Sequence, residues 1–166
     1  CAAAYIGRED AAYPELLALL RNDTVEKRTH DVKALSSLLF RENPEESPGL
    51  EQVSMDTMLA GYLLNPLASG YELPRLAQEY EVSQPVGEGV PTEVGMLSPL
   101  SDRLERELKE REMEDLLRGM EIPLAGVLAD MESIGFEVDV KGIAEFGALL
   151  EDRITAIQRQ ITEEVG

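Results

Sequence analysis

The sequence predicts a helix-rich α/β unit that gives way to one long helix. Three observations carry this. Short extended stretches alternate with helical apolar stripes up to about residue 64. From Leu97 onward the apolar residues keep almost entirely to helical spacing. The last stripe, Ile143, Phe146, Leu150, Ile154, Ile157 and Ile161, recurs at 3, 4, 4, 3 and 4 residues. That is about six turns with a single apolar face, long enough to project from the unit or to pack on something beyond it.

The elements follow in order. Ala2 to Ile6 reads as a short strand ended by Gly7. Residues 9–21 read as a helix rich in Leu16, Leu17, Leu19 and Leu20, with Pro14 starting its regular part near Tyr13. Thr24 to His30 is extended and polar, a weak strand. Asp31 then stands where a helix begins, with Val32, Leu35, Leu38 and Leu39 at helical spacing. Residues 42–49 are a loop by composition. Leu50 to Met55 reads as a strand of imperfect alternation. Asp56 caps a helix whose inward face would be Leu59, Tyr62 and Leu63, and Asn65-Pro66 stops it. A short helix turns Leu73, Leu76 and Ala77 inward. Residues 81–96 carry the glycines and prolines of a flexible loop.

A long helix then starts at Leu97, with Leu97, Leu100, Leu104 and Leu108 on one face. Asp102/Arg106, Glu105/Lys109, Glu107/Arg111 and Glu114/Arg118 are i,i+4 pairs worth only ~0.2–0.5 kcal/mol each, so they mark a solvated face. The stripe resumes at Met113, Leu116, Leu117 and Met120. Leu124, Val127, Leu128, Met131 and Ile134 form the next apolar face, with Pro123 in its first turn. Gly135 suits a left-handed stop and Asp139 the cap of the final helix.

Composition narrows the function. A chain of 166 residues, 43% hydrophobic, can bury a core; with 5% aromatics and no Trp, that core is mainly Leu, Ile, Val, Ala and Met. A net charge of −18 argues against autonomous nucleic-acid binding, which needs clustered Lys and Arg. Cys1 has no partner for an internal disulfide, in keeping with a reducing compartment. No apolar run approaches the ~18 residues of a membrane span, and no signal peptide is visible. The chain opens without Met and ends inside a helical pattern, so an internal piece of a longer protein is expected.

Chemistry is sparse. There is one His and one Cys, far apart, no phosphate-cradling loop and no cysteine-based zinc pattern. The candidate is Thr29-His30-Asp31-Val32-Lys33. A carboxylate at a strand-to-helix junction suits Mg²⁺, but a two-metal site needs several carboxylates converging on ions ~4 Å apart. The plainer reading of Asp31 is a helix cap. Asp56 has the same two readings, and the cap is favoured there too.

Three segments carry a resemblance. His-Asp-Val-Lys-Ala-Leu, residues 30–35, is similar to the second motif of the 3′–5′ exonuclease-type domain in the bacterial DNA polymerase I family, the family A polymerases. Residues 56–66 with 73–80 resemble the next helices of that domain. Residues 120–139 resemble the segment joining it to the polymerase domain, and the final helix looks like the start of the thumb.

The resemblance implies a partial RNase H-like domain over residues 1–118, with a connector and the first thumb helix over 119–166. It further implies a parent that synthesises DNA on a template, with DNA and dNTPs as partners, Mg²⁺ as cofactor and the bacterial cytoplasm as location. The family's exonuclease holds two metals with four acidic residues. Asp31 matches the third. The first two lie on a strand that would precede Cys1, and the fourth belongs to a Tyr-x-x-x-Asp motif. Here that region reads Gln-Pro-Val-Gly-Glu-Gly-Val-Pro-Thr-Glu-Val-Gly-Met. The resemblance therefore implies a degenerate, vestigial exonuclease domain that catalyses nothing by itself. The alternative from another class is an acidic helical interaction module that pairs through Ile143–Ile161.

Overall fold

A computed structural model describes residues 4–42 and 50–165. The chain divides into two compact units, Cys1–Ile134 and Gly135–Gly166. The first contains α1 (Tyr13–Leu20), β1 (Lys27–Thr29), α2 (Val32–Glu42), β2 (Val53–Asp56), α3 (Thr57–Leu64), α4 (Leu73–Glu79), α5 (Val94–Glu110), α6 (Glu114–Leu116), a π-helical turn (Leu117–Glu121) and α7 (Ile122–Ile134). The second contains α8 (Val140–Val165).

The leucine stripe of α5 is the spine of the first unit. Leu100, Leu104 and Leu108 have no exposed surface, and neither has Leu117 at the start of the π-helical turn. Around them pack Met55, Ala60, Leu64, Leu76 and Ile122 in one cluster. β1 and β2 pair in parallel, with Thr29 opposite Asp56 and an irregularity between Lys27 and Arg28. Lys27 is buried, and its Nζ donates to the carbonyls of Asn22 (2.5 Å), Val25 (2.9 Å) and Glu51 (2.6 Å). Three carbonyls stand in for the water that the ammonium gives up. Burial still pulls the Lys27 pKa down, against the pull of Glu51 and Asp23.

Several expectations need correction. Ala4–Ile6 form no strand, and Ala2–Ala3 lie outside the described residues. Of the loop expected over residues 42–49, Glu42 instead ends α2, and 43–49 lie outside the described residues. On α3, Leu59 and Leu63 pack against the core as expected, but the most deeply buried residues are Thr57, Ala60, Gly61 and Leu64, and Tyr62 is 46% exposed. The reason is close approach to α4: a Cβ on Gly61 would lie 2.9 Å from Leu76 Cδ2. Helix α7 inverts the expected face. Its buried residues are Ile122, Ala125 and Ala129 and it packs on α2, while Leu124, Val127, Leu128, Met131 and Ile134 face outward. Lys33 of α2 pairs with Glu132 at 2.7 Å along this contact.

Prolines explain two further departures. Residues 81–96 are anchored, and α5 starts at Val94, three residues early. Pro99 has no N–H for the Gly95 carbonyl four residues back. The Gln84 N–H takes that carbonyl instead, at 2.9 Å. Only glycine fits there, since a Cβ on Gly95 would stand 2.1 Å from Gln84 O. Pro123 does sit in the first turn of α7, but no loop precedes it. The π turn runs straight into α7, and the Ile122 N–H bonds Leu117 O five residues back. That widened turn makes room for the ring in a continuing helix.

The helix ends are orderly. Val82 N bonds Ala77 O and Met113 N bonds Leu108 O, both at 2.9 Å, closing α4 and α5 with six-residue turns. Glu81 (φ 53°) and Glu112 (φ 57°) hold the left-handed positions that glycine usually takes. Gly135 (φ 70°) adopts the predicted left-handed conformation, and Asp139 caps α8 through Gly142 N at 2.9 Å. Taken by itself, α8 is a helix of about 39 Å. Its stripe repeats every 11 residues (143/154, 146/157, 150/161), a period of about 3.67 residues per turn that favours a right-handed supercoil when such a helix packs.

Candidate functional site

The sequence-predicted residues meet at the C-terminal ends of β1 and β2, where α2 and α3 begin. In open α/β sheets this end of the strands is where ligands bind. Parallel pairing of Thr29 with Asp56 brings the two helix N-termini together.

Asp31 follows β1 with φ 60°, a left-handed conformation that aspartate tolerates better than most residues. Its Oδ1 accepts from Ala34 N at 3.0 Å, an N-cap bond on α2. Asp56 is completely buried and does more than cap its own helix. Its Oδ1 accepts from Leu59 N at 2.8 Å and its Oδ2 from Val32 N at 2.6 Å. One carboxylate thus fastens the starts of α3 and α2. Burial pushes its pKa up from 3.8 to about 6. The N–H groups of Leu59, Val32 and Met58 pull the other way, and the negative charge of Asp31 adds to the rise.

His30 lies between the two helix starts. Its Nδ1 is 2.9 Å from Thr57 Oγ1, and that hydroxyl donates to Thr29 O at 3.4 Å. Burial lowers the His30 pKa, opposed by the carboxylates of Asp31 and Glu72, which favours a neutral ring at pH 7. Thr57 is fully buried and completes the link from β1 to α3.

This donor set does not fit a two-metal centre. Both Asp56 oxygens and one Asp31 oxygen are engaged by backbone N–H groups. Among the described residues, no three His, Cys, Asp or Glu side chains are grouped to hold a metal ion. The same bonds do hold the two helices to the sheet.

Sequence reasoning found Asp31 and Asp56 as caps. It missed that Asp56 reaches Val32, because only the strand pairing brings them together. It also missed the ion pairs that tie α5 to β1 and to the π-helical turn. Arg28 pairs with Asp102 and with Glu105 (3.2 Å), and Arg118 pairs with Glu105 (2.9 Å). Of the four expected i,i+4 pairs, three are formed. Arg106 instead donates to the backbone carbonyl of Asp102. No helix among the described residues is long and apolar enough to cross a membrane.

Comparison with known proteins places these features. Residues 3–88 match the family model described as DNA polymerase I, ribonuclease H-like domain. The chain is 31% identical over 175 residues to DNA polymerase I of Geobacillus stearothermophilus, covering 93% of this chain and 20% of that protein. It is 29% identical over 169 residues to DNA polymerase I of Lactococcus lactis subsp. cremoris, covering 90% and 19%. Among solved structures it is similar to the POL domain of Pol1 from M. smegmatis, in complex with DNA primer-template and dNTP. The TM-score is 0.67 at 29% identity, over 92% of this chain and 26% of that one. The chain thus spans about a fifth of the length of the curated relatives it matches.

Proposed function

The chain belongs to the DNA polymerase I family, through its ribonuclease H-like domain, and from that premise we propose that it is the architectural part of a DNA-synthesising enzyme. Residues 1–118 are a vestigial 3′–5′ exonuclease-like domain, and 119–166 are the connector and first thumb helix. The parent polymerises dNTPs on a DNA template with Mg²⁺ in its polymerase portion, and this stretch neither binds the metal nor cuts DNA. Its task is to seat the polymerase portion on a small, firm α/β support.

The observation that carries this reading is the use made of Asp31 and Asp56. Asp31 matches an exonuclease carboxylate of the family, yet it caps α2, while the buried Asp56 ties α2 to α3. A carboxylate that is needed to close helix ends contributes to stability whether or not a metal is present. The charge of −18 suits a support that does not grip phosphates.

The test is digestion of 3′-labelled single-stranded DNA with Mg²⁺ or Mn²⁺, by this chain and by its Asp31→Ala variant. The expected result is no nucleotide release by either. Release that Asp31→Ala abolishes would overturn the vestigial assignment.

A further inference from the structure

Charge is spread unevenly over the first unit. Between Arg75 and Arg103 stand Glu79, Glu81, Glu88, Glu93 and Asp102, with no Lys or Arg among them. The nearby cations are already committed. Arg103 and Arg111 pair with Glu107, Lys109 and Arg118 with Glu105 and Glu114, and Arg28 with Asp102 and Glu105. Glu79 and Glu110 are exposed, and among the described residues neither has a cationic partner. Both also stand at the unfavourable end of a helix. Glu79 is the last residue of α4 and Glu110 the last of α5. A helix C-terminus carries partial negative charge, so a carboxylate there is repelled by the backbone as well as by its neighbours. No basic residue in the last turn of α4 offsets this. Dissolved cations are what remains to do so.

We propose that this is a salt-dependent fold, built for a solution richer in monovalent salt than the physiological level of about 0.15 M. With 33 acidic residues against 15 basic ones, added salt screens more repulsion than attraction. The ion pairs that salt weakens lie at the surface and are individually weak. The repulsion that salt relieves is shared by the whole acidic surface, and it is sharpest where carboxylates crowd helix ends. This property belongs to the fold and holds whatever reaction the parent enzyme performs.

The test is thermal unfolding of this chain at pH 7.5, followed by circular dichroism, in KCl from 0.05 to 2 M. A variant carrying Glu79→Gln, Glu88→Gln and Glu110→Gln is melted alongside. All three positions are exposed and lie outside the candidate site. The melting temperature of the parent should rise by about 5 °C or more. Most of the rise should fall below about 1 M, where the screening length has already shrunk to about 3 Å. Repulsion grows as the product of charges, so removing three of the 18 net negative charges removes about 30% of it. The variant should therefore melt above the parent at 0.05 M KCl and gain about a third less from added salt. A smaller rise in the parent, or a fall, would overturn the proposal, because the ion pairs would then outweigh the repulsion. Equal gains in parent and variant would overturn it too. The salt would then be acting through its exclusion from the protein surface, which does not depend on these charges.

Discussion

Replacing Asp56 with asparagine isolates the ionisation of one buried group. Asparagine keeps the shape and one acceptor oxygen but cannot titrate. In the native protein the Asp56 pKa rises from 3.8 to about 6, chiefly through burial. A raised carboxyl pKa means that the group's contribution to stability is fully present below pH 3.8 and is lost as pH rises through about 6. At about 1.36 kcal/mol per pKa unit, the full loss is about 3 kcal/mol. Between pH 5 and pH 7.5, clear of the sequence pI of 4.3, about 1.4 kcal/mol of that loss falls. Urea unfolding of both proteins, followed by circular dichroism, gives the difference curve, in which the other carboxylates cancel. The asparagine variant should gain about 1.4 kcal/mol on the parent across that range. A flat curve, or a parent that gains on the variant as pH rises, would refute the reasoning. It would mean that the two helix N-termini hold the carboxylate ionised despite its burial.

Three further outcomes follow from the same geometry. Glu81→Gly and Glu112→Gly should each stabilise the protein by about 0.5–1 kcal/mol in urea unfolding, because both residues sit at positive φ beyond a helix end. Gly95→Ala should destabilise by about 2 kcal/mol or more and increase amide exchange at Gln84, since the new methyl meets the Gln84 carbonyl. Asp31→Ala should cost about 1–2 kcal/mol through loss of its cap and the left-handed backbone, whereas Asp31→Asn should be close to neutral. A large loss of stability in the asparagine variant would show that the negative charge of Asp31 itself is required.

Periodicity carried the reading of the sequence where large apolar residues fill the core. The α5 stripe of Leu100, Leu104 and Leu108 is buried as its spacing implied. The same logic chose the wrong face on α7 and wrongly turned Tyr62 inward on α3. Hydrophobicity ranks residues by size, but those contacts are set by Gly61, Ala60, Ala125 and Ala129, whose smallness lets backbones approach. The start of α5 was misplaced because the Pro99 defect is repaired from Gln84, fifteen residues upstream and outside any local pattern. At the candidate site both caps were legible locally, since each aspartate stands just before its own helix. The bond from Asp56 to Val32 was not, because it depends on the register of two strands separated by α2.

In the function proposed above, Asp31, at a position that matches a metal-binding carboxylate of the family, serves only to hold the fold. Calorimetric titration of this chain with Mn²⁺ tests it most directly. The expected trace shows no saturable heat in the millimolar range, and Asp31→Ala gives the same trace. Two-site binding that disappears in Asp31→Ala would contradict it.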